Sequence, residues 1–132
     1  MIEYILGPKD FGEKVAANPE LVLVEFKTSW SGSSQIFTAI LESLQPSYKN
    51  QVQFYELDIE QNPSLALYYG IYHLPTTLIF KEGEIIDYIE GLYPKAIIAE
   101  RIQKSIDSKL SSKQHLAEDE LQMDNNTSNN LS

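Results

Sequence analysis

The sequence predicts an α/β domain with a mixed central sheet and helices on both faces, in the order βαβαβαββα. Three observations lead there. Leu21-Val22-Leu23-Val24 is a continuous apolar run of strand length, the pattern of a strand buried on both faces, and Val52 to Ile59 reads as a second internal strand. Helical periodicities alternate with these runs, and alternating β and α units require a parallel sheet with helices on either side. Two further strand signals flank Lys81-Glu82-Gly83-Glu84, so a closing hairpin adds antiparallel strands.

The elements follow in order from local signals. After a first short strand, Asp10 with Glu13 three residues on has the form of a capping box, and Asn18-Pro19 stops that helix. From Ser33 to about Tyr48, the residues Ile36, Phe37, Ile40, Leu41, Leu44 and Tyr48 lie at helical spacing, with Pro46 near the end. Asn62-Pro63 is a cap followed by a first-turn proline, and Gly70 falls where that helix stops. Thr76 to Phe80 and Ile85 to Ile89 are the hairpin strands. Pro94 opens a last helix with Ile97, Ile98, Ile102, Ile106 and Leu110 on one face. No internal repeat is visible.

Length and composition bound what such a domain does. The chain has 132 residues, within the ~100–200 of a single domain. Ten basic against nineteen acidic residues give a net charge of −9, which argues against nucleic-acid or anionic-membrane binding, since phosphate recognition needs clustered Lys and Arg. No apolar run approaches the ~20 residues of a membrane helix, and Met1 to Phe11 lacks a basic segment followed by an apolar one. The expectation is a cytoplasmic, soluble monomer. The absence of cysteine excludes disulfide frameworks, Cys-type zinc sites, iron–sulfur clusters and thiolate nucleophiles. His73 and His115 are far apart and belong to no metal-ligand spacing, so neither a metal nor another cofactor is expected.

A composition break near Ser111 divides the chain into a domain over residues 1–110 and a tail over 111–132. The tail has no aromatics, one lysine and four acids. It is expected to be disordered, because it has too little apolar surface to offset the entropy of ordering. Leu116, Leu121 and Met123 leave room for a short helix formed against a partner; a solubilising tail is the plainer reading.

Leu-Val-Leu-Val-Glu-Phe at residues 21–26, followed by Ser-Trp-Ser-Gly-Ser-Ser-Gln-Ile at 29–36, resembles the thioredoxin family, whose motif here is Trp-Cys-Gly-Pro-Cys. Further matches lie in register at Asp58-Ile59-Glu60-Gln61-Asn62-Pro63, Tyr69-Gly70-Ile71, Leu74-Pro75-Thr76-Thr77-Leu78-Ile79-Phe80, Lys81-Glu82-Gly83-Glu84 and Glu90-Gly91. The resemblance covers about residues 2–108 and implies the thioredoxin-like three-layer fold. It also implies that Pro75 is a cis-proline opposite the motif, as suits a proline at the start of a strand. Trp30, Gly32, Ser33, Tyr72, His73, Leu74, Pro75, Thr76 and Gly91 then border a shallow groove that in relatives takes extended polypeptide by backbone pairing.

The departures from the family pattern bear on function. Ser31 and Ser34 occupy both cysteine positions. Thiol–disulfide exchange needs a thiolate, and a serine hydroxyl is far too weak an acid for a helix N-terminus to ionise. Ser33 replaces the motif proline, and Ala39 stands where relatives usually carry a helix-kinking proline. Glu56 stands where the family commonly has a lysine beside the buried acid, here Glu25. If Glu56 faces Glu25, two carboxylates share one desolvated site and a pKa rises. Alternatively Glu56 points to solvent, or Lys27 or another base neutralises the pair.

Other features each have two readings. Ser31-Gly32-Ser33-Ser34 opens a helix and either holds an anion or simply caps it. His73 with Ser31 or Ser34 would form a hydrolase dyad, but no third residue orients the ring and the Gly-x-Ser-x-Gly elbow is absent. Of the aromatic run, Tyr69 is expected in the core and Tyr72 in the groove. Trp30 is expected at the rim. The function expected is a non-catalytic, thioredoxin-like module that binds a polypeptide or protein partner. The alternative is a redox-active thioredoxin represented by a cysteine-to-serine form.

Overall fold

The structure, a computed structural model, describes residues 1–108. The expected tail over 111–132, with His115, and the end of the last helix at Leu110 lie outside the described residues. The elements are β1 (Glu3–Tyr4), α1 (Pro8–Phe11) running on into a π-helical turn (Gly12–Ala16), β2 (Leu21–Lys27), α2 (Gly32–Leu44), a 3₁₀ turn (Gln45–Tyr48), β3 (Val52–Asp58), α3 (Pro63–Tyr68), β4 (Thr76–Lys81), β5 (Glu84–Glu90) and α4 over 95–108. They form a five-stranded sheet in the order β1-β3-β2-β4-β5. β3 runs parallel to β1 and β2; β4 is antiparallel to β2 and β5.

β2 is the centre of the sheet, and all seven of its residues are buried. Its side chains alternate between two cores. Leu21 and Leu23 pack with Phe37, Leu41 and Leu44 of α2 and Ile98, Ile102 and Ile106 of α4. Val22, Val24 and Phe26 pack on the other face with Phe11, Val15, Ala66 and Phe80. Tyr69 closes that second core with its ring centroid 5.5 Å from Phe11 and 5.6 Å from Phe80. Two residues of the expected apolar faces, Ile36 and Ile97, are instead exposed. Each lies in the first turn or so of its helix, at the margin of the face the sheet covers.

The first helix begins earlier than the sequence reading places it. Gly7 is its N-cap and Pro8 occupies the first turn, where a missing N–H costs nothing. Asp10 therefore sits inside the helix and reaches back to accept the Leu6 N–H at 2.8 Å, while its other contact is Lys14. Glu13 takes no part in a capping box. Pro46 falls at the start of the 3₁₀ turn that ends α2, and α2 itself runs unbroken past Ala39. At the hairpin, Glu82 and Gly83 both have positive φ, 52° and 80°, the geometry of a tight two-residue turn. The Gly83 backbone lies against Ala16, whose carbonyl oxygen would be 2.7 Å from any added Cβ.

Candidate functional site

The site lies where the C-terminal end of β2 feeds α2 and faces the loop into β4. Ser31 is the N-cap of α2, in extended conformation, and its Oγ accepts the Ser34 N–H at 3.3 Å. Of the two readings of the serine run, capping is the one with a bond behind it. Gly32 and Ser33 are exposed, whereas Ser34 is fully buried. The hydroxyls thus occupy the two ends of the first helical turn.

Across from this turn, the Leu74–Pro75 peptide bond is cis. The Pro75 carbonyl accepts the Gly91 N–H at 2.7 Å, which ties the end of β5 to the start of β4. Gly91 has φ +96°, open to glycine and strained for other residues. His73, Leu74, Glu90 and Gly91 line a shallow cavity of about 400 Å³. Trp30 is 69% exposed and Tyr72 78%, so both rings stand at the surface. The Trp30 indole N–H donates to Glu60 Oε1 at 2.8 Å. Thr76, expected in the groove, is instead fully buried between β2 and β5, and its Oγ1 donates to the His73 carbonyl at 2.6 Å, so it braces the loop from within; Pro75 is buried as well. His73 Nε2 lies 3.6 Å from Glu90 Oε2. Ser31 is engaged as a cap and Ser34 is buried, and among the described residues no His73–serine hydrogen bond forms.

Beneath α2 lies a charged network that the strand register builds. Glu25 of β2 is paired with Glu56 of β3, and Glu56 in turn with Tyr4 of β1. Lys27, two residues beyond Glu25, projects from the same face of β2. Its ammonium donates to Glu56 Oε2 at 3.1 Å and to Thr38 Oγ1 of α2 at 2.7 Å. The Thr38 hydroxyl in turn donates to Glu25 Oε1 at 2.9 Å. Lys27 therefore neutralises Glu56 directly and touches Glu25 through one hydroxyl.

Parts of both readings of this pair meet here: Glu56 is buried on the same face as Glu25 and Lys27 neutralises it, yet the Glu25 carboxyl is still raised. Burial pushes the Glu25 carboxyl up to about 8, only partly opposed by the Thr38 hydrogen bond and the Lys27 charge. The Glu56 charge raises it further, but as a lesser cause. Burial pulls Lys27 down, yet its bond to Glu56 and the nearby carboxylates outweigh this and hold it above its ordinary value. Glu25 Oε2, Ser34 Oγ and Thr77 Oγ1 are buried with no hydrogen-bond partner among the described residues, and Thr77 is the β4 residue opposite Glu25. The site thus holds a carboxyl that burial biases toward its protonated form, below a helix end that carries hydroxyls.

Sequence reasoning named Lys27 only as one possible neutraliser and missed Thr38 and Glu60. The signal for Lys27 was present, since residues 25 and 27 share a strand face. Thr38 is four residues beyond Ser34, so it lies one turn deeper along the buried side of α2. Among the described residues no group of His, Asp and Glu could hold a metal ion, and no helix is long and apolar enough to cross a membrane.

Sheet order, the helix end at Ser31 and the loop at Pro75 together define a protein of thioredoxin architecture whose thiol positions carry hydroxyls. The thioredoxin family model matches residues 4–104. A thioredoxin of Chlorobaculum thiosulfatiphilum is 34% identical over 98 residues, covering 74% of this chain and 91% of that protein. A Staphylococcus aureus thioredoxin is 33% identical over 97 residues with the same coverage, 74% and 91%. The chloroplastic M-type thioredoxin of Pisum sativum is 32% identical over 102 residues, 77% of this chain and 59% of that protein. The chain belongs to the thioredoxin family.

Proposed function

We propose that this chain is a non-catalytic thioredoxin-family module that binds an extended polypeptide segment along the groove between Trp30, the Ser31–Ser34 turn, Tyr72 to Thr76 and Gly91. One observation carries the reading: Ser31 and Ser34 stand at the helix end where a dithiol would act, with the exposed Trp30 and Tyr72 rings at the same end of the sheet. Exchange proceeds by a thiolate attacking a disulfide sulfur, and oxygen does not enter that cycle. What remains useful at such a surface is recognition.

The second reading, a protein-disulfide reductase represented by a cysteine-to-serine form, is favoured by the 34% and 33% identities to thioredoxins. One experiment separates the two. Dithiol-driven reduction of a protein disulfide is followed with the chain as it stands and with the Ser31→Cys, Ser34→Cys double variant. The binding reading expects background rates from both. Restoration of turnover well above background by the double variant favours the second reading. Turnover by the unaltered chain would refute the first.

A further inference from the structure

This inference rests on the groove being a polypeptide-binding surface and names what that surface selects. Two carboxylates flank the groove. Glu60 is held against Trp30 by the indole hydrogen bond of 2.8 Å, which fixes the ring beside the charge. Glu90 lines the cavity floor with His73, Leu74 and Gly91, and the exposed Tyr72 ring precedes His73 in the chain. The base nearest this end of β2, Lys27, is buried and committed to Glu56 and Thr38. The groove therefore presents the Trp30 ring beside the Glu60 carboxylate and a second, half-exposed carboxylate, Glu90, 3.6 Å from His73, with no lysine or arginine among the residues that define it. A cation gains twice in such a place, from the ring face and from the carboxylate.

We propose that the groove takes an extended segment bearing arginine side chains, its backbone beside Leu74–Pro75 and its guanidinium groups against the Trp30–Glu60 pair and Glu90. Arginine fits better than lysine because its planar group stacks on a ring while pairing with a carboxylate. The charge excludes one occupant close at hand: the segment over 111–132, with four acids against one lysine, has the wrong sign.

The test uses the full chain and two short blocked peptides of glycine, serine and valine. They are identical except that one carries arginine where the other carries neutral citrulline. Amide and indole NMR shifts locate binding, and titration at low salt ranks affinity. The arginine peptide is expected to shift the Trp30 indole, residues 72–76 and Gly91, and to bind about tenfold more tightly than its twin. The Glu60→Gln, Glu90→Gln double variant should remove most of that difference. Equal affinities with shifts in the groove would overturn the arginine selectivity and leave the groove reading standing. Shifts confined to other surfaces, or none with either peptide, would overturn both.

Discussion

Glu25→Gln tests the electrostatics of the core directly. The folded carboxyl is pushed up to about 8 from an ordinary 4.5. Below pH 4.5 both folded and unfolded chains hold the proton, and the shift is without effect. Between 4.5 and 8 the unfolded chain ionises while the folded one does not, so stability falls by about 1.4 kcal/mol per pH unit. By pH 7 the loss reaches about 3 kcal/mol. Glutamine mimics the protonated acid, keeps an oxygen for the Thr38 hydroxyl and never ionises. The variant is predicted to melt roughly 10 °C higher at pH 7, with the gain shrinking to near zero at about pH 4. Thermal unfolding by circular dichroism across this range is the assay. An unchanged or lower midpoint at pH 7 would refute the reasoning, as would a gain that persists undiminished in acid.

Two further predictions concern packing and backbone. Lys27→Met strands Glu56 as an unpaired buried charge and should cost about 3–5 kcal/mol, most of it recovered when Glu56→Leu is added; urea midpoints of the single and double variants measure the coupling. Gly83→Ala places a methyl 2.7 Å from the Ala16 carbonyl oxygen at a φ of +80°, and should destabilise by roughly 1–3 kcal/mol in the same assay.

The strands were legible because burial leaves a direct mark on composition. The apolar run from Leu21 marks a strand covered on both faces, and Lys81 to Glu84 marks a turn that needs positive φ. The start of α1 was misplaced because Asp10 and Glu13 match a cap by spacing alone. Gly7-Pro8 caps and opens the helix three residues earlier, and Asp10 then serves the Leu6 N–H from within the first turn. The serines of the site could be read directly, since their chemistry is intrinsic. The Lys27–Thr38–Glu25 relay could not. It depends on strand register and on the rotation of α2 about its axis, and both are set by packing among residues distant in sequence. The Trp30–Glu60 bond likewise joins the ends of two strands that meet only in three dimensions.

The free edge of the sheet carries its own deterrent. β5 leaves a seven-residue rim with Ile85, Ile86 and Tyr88 partly in water, a combination that invites another strand. Its acids are spaced evenly at 84, 87 and 90. Were two copies to zip together antiparallel about the strand's midpoint, each Glu84 would meet a Glu90; Asp87 between them is already paired with Arg101, and a bulge interrupts the ladder beside it. Like charges set directly opposite one another repel. A one-residue slip avoids those encounters, but it turns apolar side chains of the incoming strand toward the wrong face. Glu84 and Glu90, together with the bulge between them, thereby disfavour that one self-pairing of β5.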